Sequence, residues 1–554
     1  MQNYFIDPAS MNLDPLLNDL TNLHSKVLSN IDLKAARIDN NFTEKYADIL
    51  EREILPHNGI SVDEVYDSLA HYSQGLIRWS HPGAMINVNP PASIPSVAAA
   101  SYFSLYNPNG AQDMSSGYLL VTELAVVKMI SQLADIDYRK SGGIFTFGGK
   151  STNLHGVKHG LQRIDPSFSK TGLSGDIVVF SSTQGHPCHS EVCGWLGIGE
   201  DNCIRIGTDN LGVIDVNELK RQMEQTIESG KKIATIVLNG ATTIQMTIDP
   251  IRKISKMRDD LVKKYKLEYV PRIHVDSVIG WAWLFFKEYN FDQNPLNIGQ
   301  SALIKIKAQT EAIKDIKYAD SFGVDFHKTG YCSYLSSLYI TKDRSELYAQ
   351  GSVNKNVPYD EMEYGNYSPF QYTLELSRSL AAPISAYVNL KTFGAEGYQK
   401  LIGGLMDTSE YFKDILEETK RFEVINRKDS NGFVTLFVAR NEEGAASFFD
   451  LGSLNIEEIR DFGQYNYRFY LYLLEKQKTG ECTFSVDYST GYHSLSNGMK
   501  IGVLKAYPMS PYFDREHADL IKEELLKHLH IFDTIKDTYV VSEVPHKPRD
   551  FVFK

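Results

Sequence analysis

The chain has 554 residues, a formal net charge of -12, 42% hydrophobic and 23% charged residues. That composition excludes a disordered or fibrous chain, and the acidic balance argues against a protein that grips nucleic acid by neutralising phosphates. The length calls for more than one domain or subdomain. The five cysteines (Cys188, Cys193, Cys203, Cys332 and Cys482) form no CxxC pair, so free thiols in a reducing cytoplasm are expected. No basic-then-apolar leader opens the sequence, and no stretch of about 18 uninterrupted apolar residues occurs, so neither a signal peptide nor a membrane span is expected.

In chain order, Leu13, Leu16, Leu17, Leu20, Leu23 and Val27 recur at helical spacing, which predicts a helical N-terminal segment over 1–80. A Pro-, Gly- and Asn-rich stretch from His81 marks a loop and a boundary, and a helix returns from about Thr122. Between 140 and 340 strand-like runs at 143–147, 176–182, 232–240 and 272–277 alternate with amphipathic stretches. Such alternation predicts a large α/β domain over 81–380 around a mainly parallel sheet. Its sites belong at the carboxyl ends of the strands. A long helix from 381, two strand-like runs (431–440 and 481–489) and a polar C-terminal helix predict a small α+β domain over 381–554.

Four segments follow predicted strands and carry chemistry. In FTFGGKSTNLHG a strand runs into Gly148 and Gly149, then Lys150, Ser151 and Thr152, then a helix. Glycines allow close backbone approach to an anion, and a helix N-terminus supplies free N–H groups, which suits a phosphate monoester as well as a plain strand–helix turn. In SSTQGHPCHSEVCGW, His186 can stack on a flat ligand or move protons. His186, Cys188, His189 and Cys193 match no usual zinc spacing, so no metal is expected, and His189 reads as a structural histidine. Asp276, ending an apolar strand in RIHVDS, needs a cationic partner if buried; a protonated ring nitrogen would serve, and a turn aspartate is the plainer reading. Lys328, in DFHKTG, has apolar and aromatic neighbours that can lower an amine pKa for carbonyl chemistry. A phosphate cradle, a stacking histidine, a ring-nitrogen acid and a Schiff-base lysine are the parts that pyridoxal 5′-phosphate (PLP) needs.

These motifs resemble the group II PLP-dependent amino-acid decarboxylases. HVDS at 274–277 is similar to the family's HVDA segment, DFHKTG at 325–330 to its DxHK segment, and GGKSTN to its phosphate turn. TLELSRS at 373–379 resembles the family's Ser-Arg turn, which contains Arg378. The resemblance implies PLP fold type I, of the aspartate aminotransferase-like kind. It implies that Lys328 forms the Schiff base, that Asp276 binds the pyridine nitrogen, and that His186 rather than His189 stacks over the ring. Gly149, Lys150, Ser151, Thr152 and His327 would lie at the phosphate, with Ser277 against the ring. It also implies a homodimer with the active site at the interface, the N-terminal helices embracing the partner, and a small-molecule amino-acid substrate.

The sequence departs from the family pattern at Lys150, which replaces a small hydroxyl residue, and at Ala241 and Met246, which replace two glycines around Thr242 and Thr243, while Asp249 is retained. The resemblance implies that a tyrosine in the polar loop after Lys328 protonates Cα. Tyr359 fits best by position, with Tyr348, Tyr364 and Tyr367 as rivals. The alternatives are a carbon–carbon lyase, an aldehyde-forming oxidative deaminase or an aminotransferase on the same cofactor, or a non-catalytic scaffold. Tyr102, Phe103 and Tyr106 could accept an aromatic substrate side chain, although core packing explains them equally well, and Asn87 or Asn89 could bind a polar one.

Overall fold

The computed structural model describes residues 4–38, 44–209, 211–351, 357–441, 446–494 and 500–539. Twelve strands occur among them: β1 Ala84–Met85, β2 Gly142–Thr146, β3 Ile177–Ser182, β4 Cys203–Ile206, β5 Lys232–Asn239, β6 Arg272–Asp276, β7 Ser321–Asp325, β8 Ser337–Thr341, β9 Phe422–Val424, β10 Thr435–Ala439, β11 Ser485–Ser494 and β12 Lys500–Ala506. The chain forms two compact units, one comprising 90–407 and 428–434, the other 1–89, 408–427 and 435–554.

The larger unit is built on a sheet of order β2-β8-β7-β6-β5-β3-β4. β4, β3, β5, β6 and β7 run parallel, and β8 pairs antiparallel with both β7 and β2. Its strands are buried on both faces, as helix-covered parallel sheets are; β3, β6 and β7 contain no exposed residue. The parallel strands therefore deliver Ser182, Asn239, Asp276 and Asp325 to one edge. This confirms the mainly parallel α/β reading.

The smaller unit has a sheet of order β1-β11-β12-β10-β9, antiparallel except where β1 meets β11. Here the expected boundaries need correction. Residues 1–80 are not a separate segment. Ala36 N–H bonds to Thr483 O (2.7 Å), Ser485 N–H to Gly83 O (2.7 Å) and Tyr507 N–H to Met85 O (2.8 Å), which joins the N-terminal region to strands near the other end of the chain. The second boundary falls at 407/408 rather than 380/381, inside the helix Ala381–Glu418.

The helical run Asp113–Leu133 has the length and mean hydropathy (1.2) of a membrane span. Within it Glu123 is fully buried and pairs with Arg378 at 2.8 Å. A buried charge is tolerated in a core when it is paired and hydrogen-bonded, and Glu123 also accepts from Phe145 N–H. That buried pair fixes one face of the run in the larger unit, while Met114 and Tyr118 remain exposed, and Arg378 is committed to Glu123.

Candidate functional site

A cavity of about 210 Å³ lies at the carboxyl edge of the large sheet, lined by Gly149, Lys150, Asn153, His186, Cys188, Asn239, Ala241, Thr242, Thr243, Asp276, Val278, Asp325, His327, Lys328 and Tyr334. It brings together residues from four of the motifs read in the sequence.

Asp276 is buried at the end of β6. Its Oδ2 accepts from Asn153 Nδ2 (2.9 Å) and His189 Nε2 (3.0 Å). The other nitrogen of His189 lies 2.7 Å from Ser181 Oγ. Burial alone would push the Asp276 carboxyl up, but the His189 hydrogen bond, the nearby Lys328 charge and Asn153 together hold it well below its ordinary value. Asp276 Oδ1 is buried and has no hydrogen-bond partner. An unsatisfied anionic oxygen in such a place costs free energy. A protonated ring nitrogen is the partner it fits.

Both nitrogens of His189 are thus engaged, although Cys188, His189 and Asp276 offer ligand atoms within 4.8 Å of one another. His189 braces Asp276 and also bonds Ser181. That the residue braces Asp276 was not visible in the sequence, because the contact joins the helix Cys188–Trp195 to β6 across 87 positions.

Lys328 lies in the connection between β7 and β8, with Nζ 2.9 Å from Asp325 Oδ2. Burial would lower its amine pKa, but Asp325 and Asp276 outweigh it and the direction is upward. This corrects the expectation of a lowered pKa: the deciding neighbour is a carboxylate three residues earlier, not the apolar surroundings. Asp325 is itself fixed by Ser337 Oγ, which donates to Oδ1 at 2.5 Å. His327 also lines the cavity, with Nε2 3.4 Å from Asp325 Oδ2 and its ring 4.2 Å from that of Tyr334.

His186 is held through its main chain by Arg205, which donates to the His186 and Gly185 carbonyls. Its Nδ1 accepts from Cys188 N–H at 3.1 Å. Protein packed round the ring holds its pKa down at about 4, against the pull of Asp276. The imidazole is therefore neutral at pH 7.

The turn after β2 has Gly148 at φ 86°, a conformation that favours glycine. A Cβ on Gly149 would stand 3.1 Å from Asp325 Oδ2, so a side chain there would crowd the lysine's partner. The hydroxyls expected to hold phosphate do not line this cavity. Thr152 is fully buried and donates to Gly149 O at 2.7 Å, while Ser151 Oγ donates to Phe147 O at 3.3 Å. Helix phase decides this: both hydroxyls fold back onto the preceding turn. Lys150 pairs with Glu191 and sits 5.1 Å over the Trp195 ring. Ser277 is buried and donates to Gly323 O at 2.6 Å, also off the cavity.

The tyrosines proposed for proton transfer are likewise elsewhere. Tyr359 packs edge-on against Tyr138 at 5.4 Å, Tyr348 against Tyr372 at 5.4 Å, and Tyr364 beside Tyr118 at 6.2 Å. Tyr367 donates to Glu123. Residues 352–356 of that loop lie outside the described residues. Tyr334, which the sequence reading passed over, is the tyrosine in the cavity lining. Of the residues expected to meet the substrate side chain, Tyr102 and Tyr106 are partly exposed and share a hydroxyl contact of 3.3 Å. None of Tyr102, Phe103, Tyr106, Asn87 and Asn89 lines this cavity.

Ala241 and Met246 adopt φ of 104° and 55°. The backbone thus keeps the conformation that a glycine would take, without the glycines. The loop is held from below by Asp249, which accepts from Asn239 N–H (2.8 Å) and Ile214 N–H (3.0 Å) and whose carboxyl burial pushes up to about 6.

A parallel sheet ending in an amine, a braced carboxylate with one free oxygen and a glycine turn at a helix N-terminus defines a PLP-binding protein of fold type I. The chain belongs to the pyridoxal-dependent decarboxylase family, whose conserved domain matches residues 65–438. It is 23% identical to the human protein named acidic amino acid decarboxylase GADL1, over 65% of this chain and 64% of that protein's length. The fold is similar to that of mouse CSAD, with a TM-score of 0.74 at 15% identity over 93% of this chain and 99% of that one. It is also similar to Oryza sativa TDC, solved with PLP and tryptamine, with a TM-score of 0.70 at 16% identity over 93% and 97%. PLP is the cofactor of this family, and the free oxygen of Asp276 beside Lys328 fits it.

Proposed function

We propose that this chain is a PLP-dependent decarboxylase of an L-amino acid, releasing the corresponding amine and carbon dioxide. The observation that carries the reading is Asp276 Oδ1, buried without a partner in the lining of the cavity that also holds Lys328 and His186. When bound, PLP supplies an aldehyde for amine exchange and a protonated ring that takes up the electron pair left by departing carbon dioxide.

The chain's own residues divide the remaining work. Lys328 Nζ is the amine that gives way to the substrate amine, and Asp325 holds its proton when it is free. Asp276 holds a proton at the ring nitrogen, a charge stabilisation set up ahead of the reaction by Asn153 and His189. His186, neutral at pH 7, offers a flat face to the ring. The free N–H groups that start the helix Gly149–Ile164 bind the phosphate, rather than the Ser151 and Thr152 hydroxyls. Tyr334 is placed to carry a proton at the cavity. A homodimer with the active site at its interface is part of this proposal and rests on the resemblance to the family. Five free cysteines, all buried, support a cytoplasmic location.

The test is a spectrum of the purified protein with PLP, followed by carbon dioxide release across acidic, basic and aromatic L-amino acids. A cofactor band absent from Lys328→Ala, with carbon dioxide from one class of amino acid, supports the proposal. A Lys328-dependent band with aldehyde and ammonia instead, or with no carbon dioxide from any amino acid, rejects decarboxylation in favour of another reaction on the same cofactor.

A further inference from the structure

The smaller unit holds a second cluster of chemically able groups, in a part of the fold that the proposed reaction does not use. Glu524 and His528 are one helical turn apart on the helix Arg515–Ile535, so both project from the same face. Cys482 lies three residues before β11. The Cys482 Sγ, a Glu524 carboxylate oxygen and a His528 ring nitrogen all lie within 4.8 Å of one another.

His528 is only 2% exposed, and its Nε2 is buried with no hydrogen-bond partner. It faces Glu524 Oε1 at 3.6 Å, too far for a hydrogen bond. Tetrahedral zinc with bonds of about 2.0–2.3 Å sets neighbouring ligand atoms about 3.3–3.7 Å apart, so the gap suits a shared ion. Other groups hold the arrangement in place. Thr483 N–H donates to Glu524 Oε1 at 2.7 Å and its hydroxyl donates to Oε2, leaving each oxygen a lone pair. Tyr472 OH lies 3.5 Å from His528 Nδ1. Cys482 is 3% exposed, and its thiol lies 3.4 Å from Phe484 O.

We propose that Cys482, Glu524 and His528 bind one Zn²⁺ ion, with water as the fourth ligand. The charge balances: thiolate and carboxylate together offset the two positive charges of the ion, and the imidazole binds neutral. Binding breaks the Cys482 S–H bond, forms the S–Zn bond and releases one proton to solvent. Thiolate and imidazole ligands favour zinc over magnesium or calcium. With a helical ligand pair tied to the residue before Thr483, the ion would join the helix Arg515–Ile535 to the entry of β11 and keep one position open to water.

The test titrates chelator-treated, PLP-loaded full-length protein with Zn²⁺ alone, by equilibrium dialysis and zinc-edge X-ray absorption. The expected result is one zinc per chain, with one sulfur ligand at about 2.3 Å and the remaining ligands nitrogen or oxygen at about 2.0 Å. Cys482→Ser and His528→Gln weaken binding at least about tenfold, and Cys482→Ser removes the sulfur ligand. Glu524→Gln keeps the shape of the Thr483 contact and serves as the variant least prone to misfold; it also weakens binding. Circular dichroism of each variant before zinc addition separates lost ligands from lost fold. No uptake, uptake without sulfur, or equal uptake by folded Glu524→Gln and the parent chain overturns the site.

Discussion

On the Asp276 side of the cavity, Asn153, His189 and Ser181 fix the carboxylate through buried hydrogen bonds and leave one oxygen free. On the side of the Gly148–Thr152 turn, Lys150, Ser151 and Thr152 all direct their polar atoms to the chain itself. On the proposed function, the first arrangement places ligand recognition in side chains. On the same proposal, the second leaves it to backbone N–H groups and the helix N-terminus. Substitutions should therefore act very unequally on the two sides.

The largest effect is expected at Asp276. Asp276→Asn keeps the shape but removes the charge that holds a proton on the ring, and turnover should fall about a hundredfold to a thousandfold. Steady-state kinetics checks this; a loss below tenfold would show that the braced carboxylate is not the electrostatic centre.

Next comes the packing behind that side. His155 is fully buried with neither ring nitrogen hydrogen-bonded, and burial holds its pKa down at about 3, as it does for His274. A base with a lowered folded pKa contributes stability that is present above its ordinary pKa, 6.5, and lost as pH falls toward 3. At pH 5 each such histidine costs about 2 kcal/mol relative to pH 7. Asp249, raised to about 6, acts in the opposite sense: it contributes more as the pH falls through 6, offsetting part of that loss. His155→Leu should narrow the gap between the unfolding free energies from urea titrations at pH 7 and pH 5 by about 2 kcal/mol. An unchanged gap would mean the ring is hydrated or already protonated.

A smaller effect is expected at Ala241. Its φ of 104° strains any residue with a Cβ, so Ala241→Gly should stabilise the fold by about 1 kcal/mol, read as a higher melting temperature. A lower one would show that the Ala241 methyl packs better than its backbone is strained.

The smallest effect belongs to the glycine turn. Lys150→Met and Ser151→Ala should each change PLP affinity by less than about threefold. A tenfold loss in a fluorescence titration with the cofactor would restore those side chains as phosphate ligands.

The contrast also explains what could be read from the sequence. Buried parallel strands are continuous β-branched runs, so β3, β5 and β6 stood out, and the residues at their ends pointed to Asp276 and His186. The DFHKTG motif points to Lys328, which lines the cavity. β7 and β8 are hard to read as strands from sequence, because SFGVD and SLYIT mix polar residues into short runs. The bracing of Asp276 by His189 and the Glu123–Arg378 pair join residues 87 and 255 positions apart. No local pattern records such contacts. The directions of Ser151, Thr152 and Lys150 depend on helix phase at a turn, which composition does not encode. Tyr359 was placed by counting along a loop, and counting says nothing of the Tyr138 ring it rests on.

The pairing of β1 with β11 sets Ala84 opposite Ser485. On a ribosome adding about 5–20 residues per second, the first partner waits roughly 20–80 s for the second to be made. Through that interval the nascent N-terminal region lacks its native sheet neighbour. Translation speed and chaperone supply are therefore levers on the yield of this protein, and a version carrying the first 89 residues after the last strand would shorten the wait.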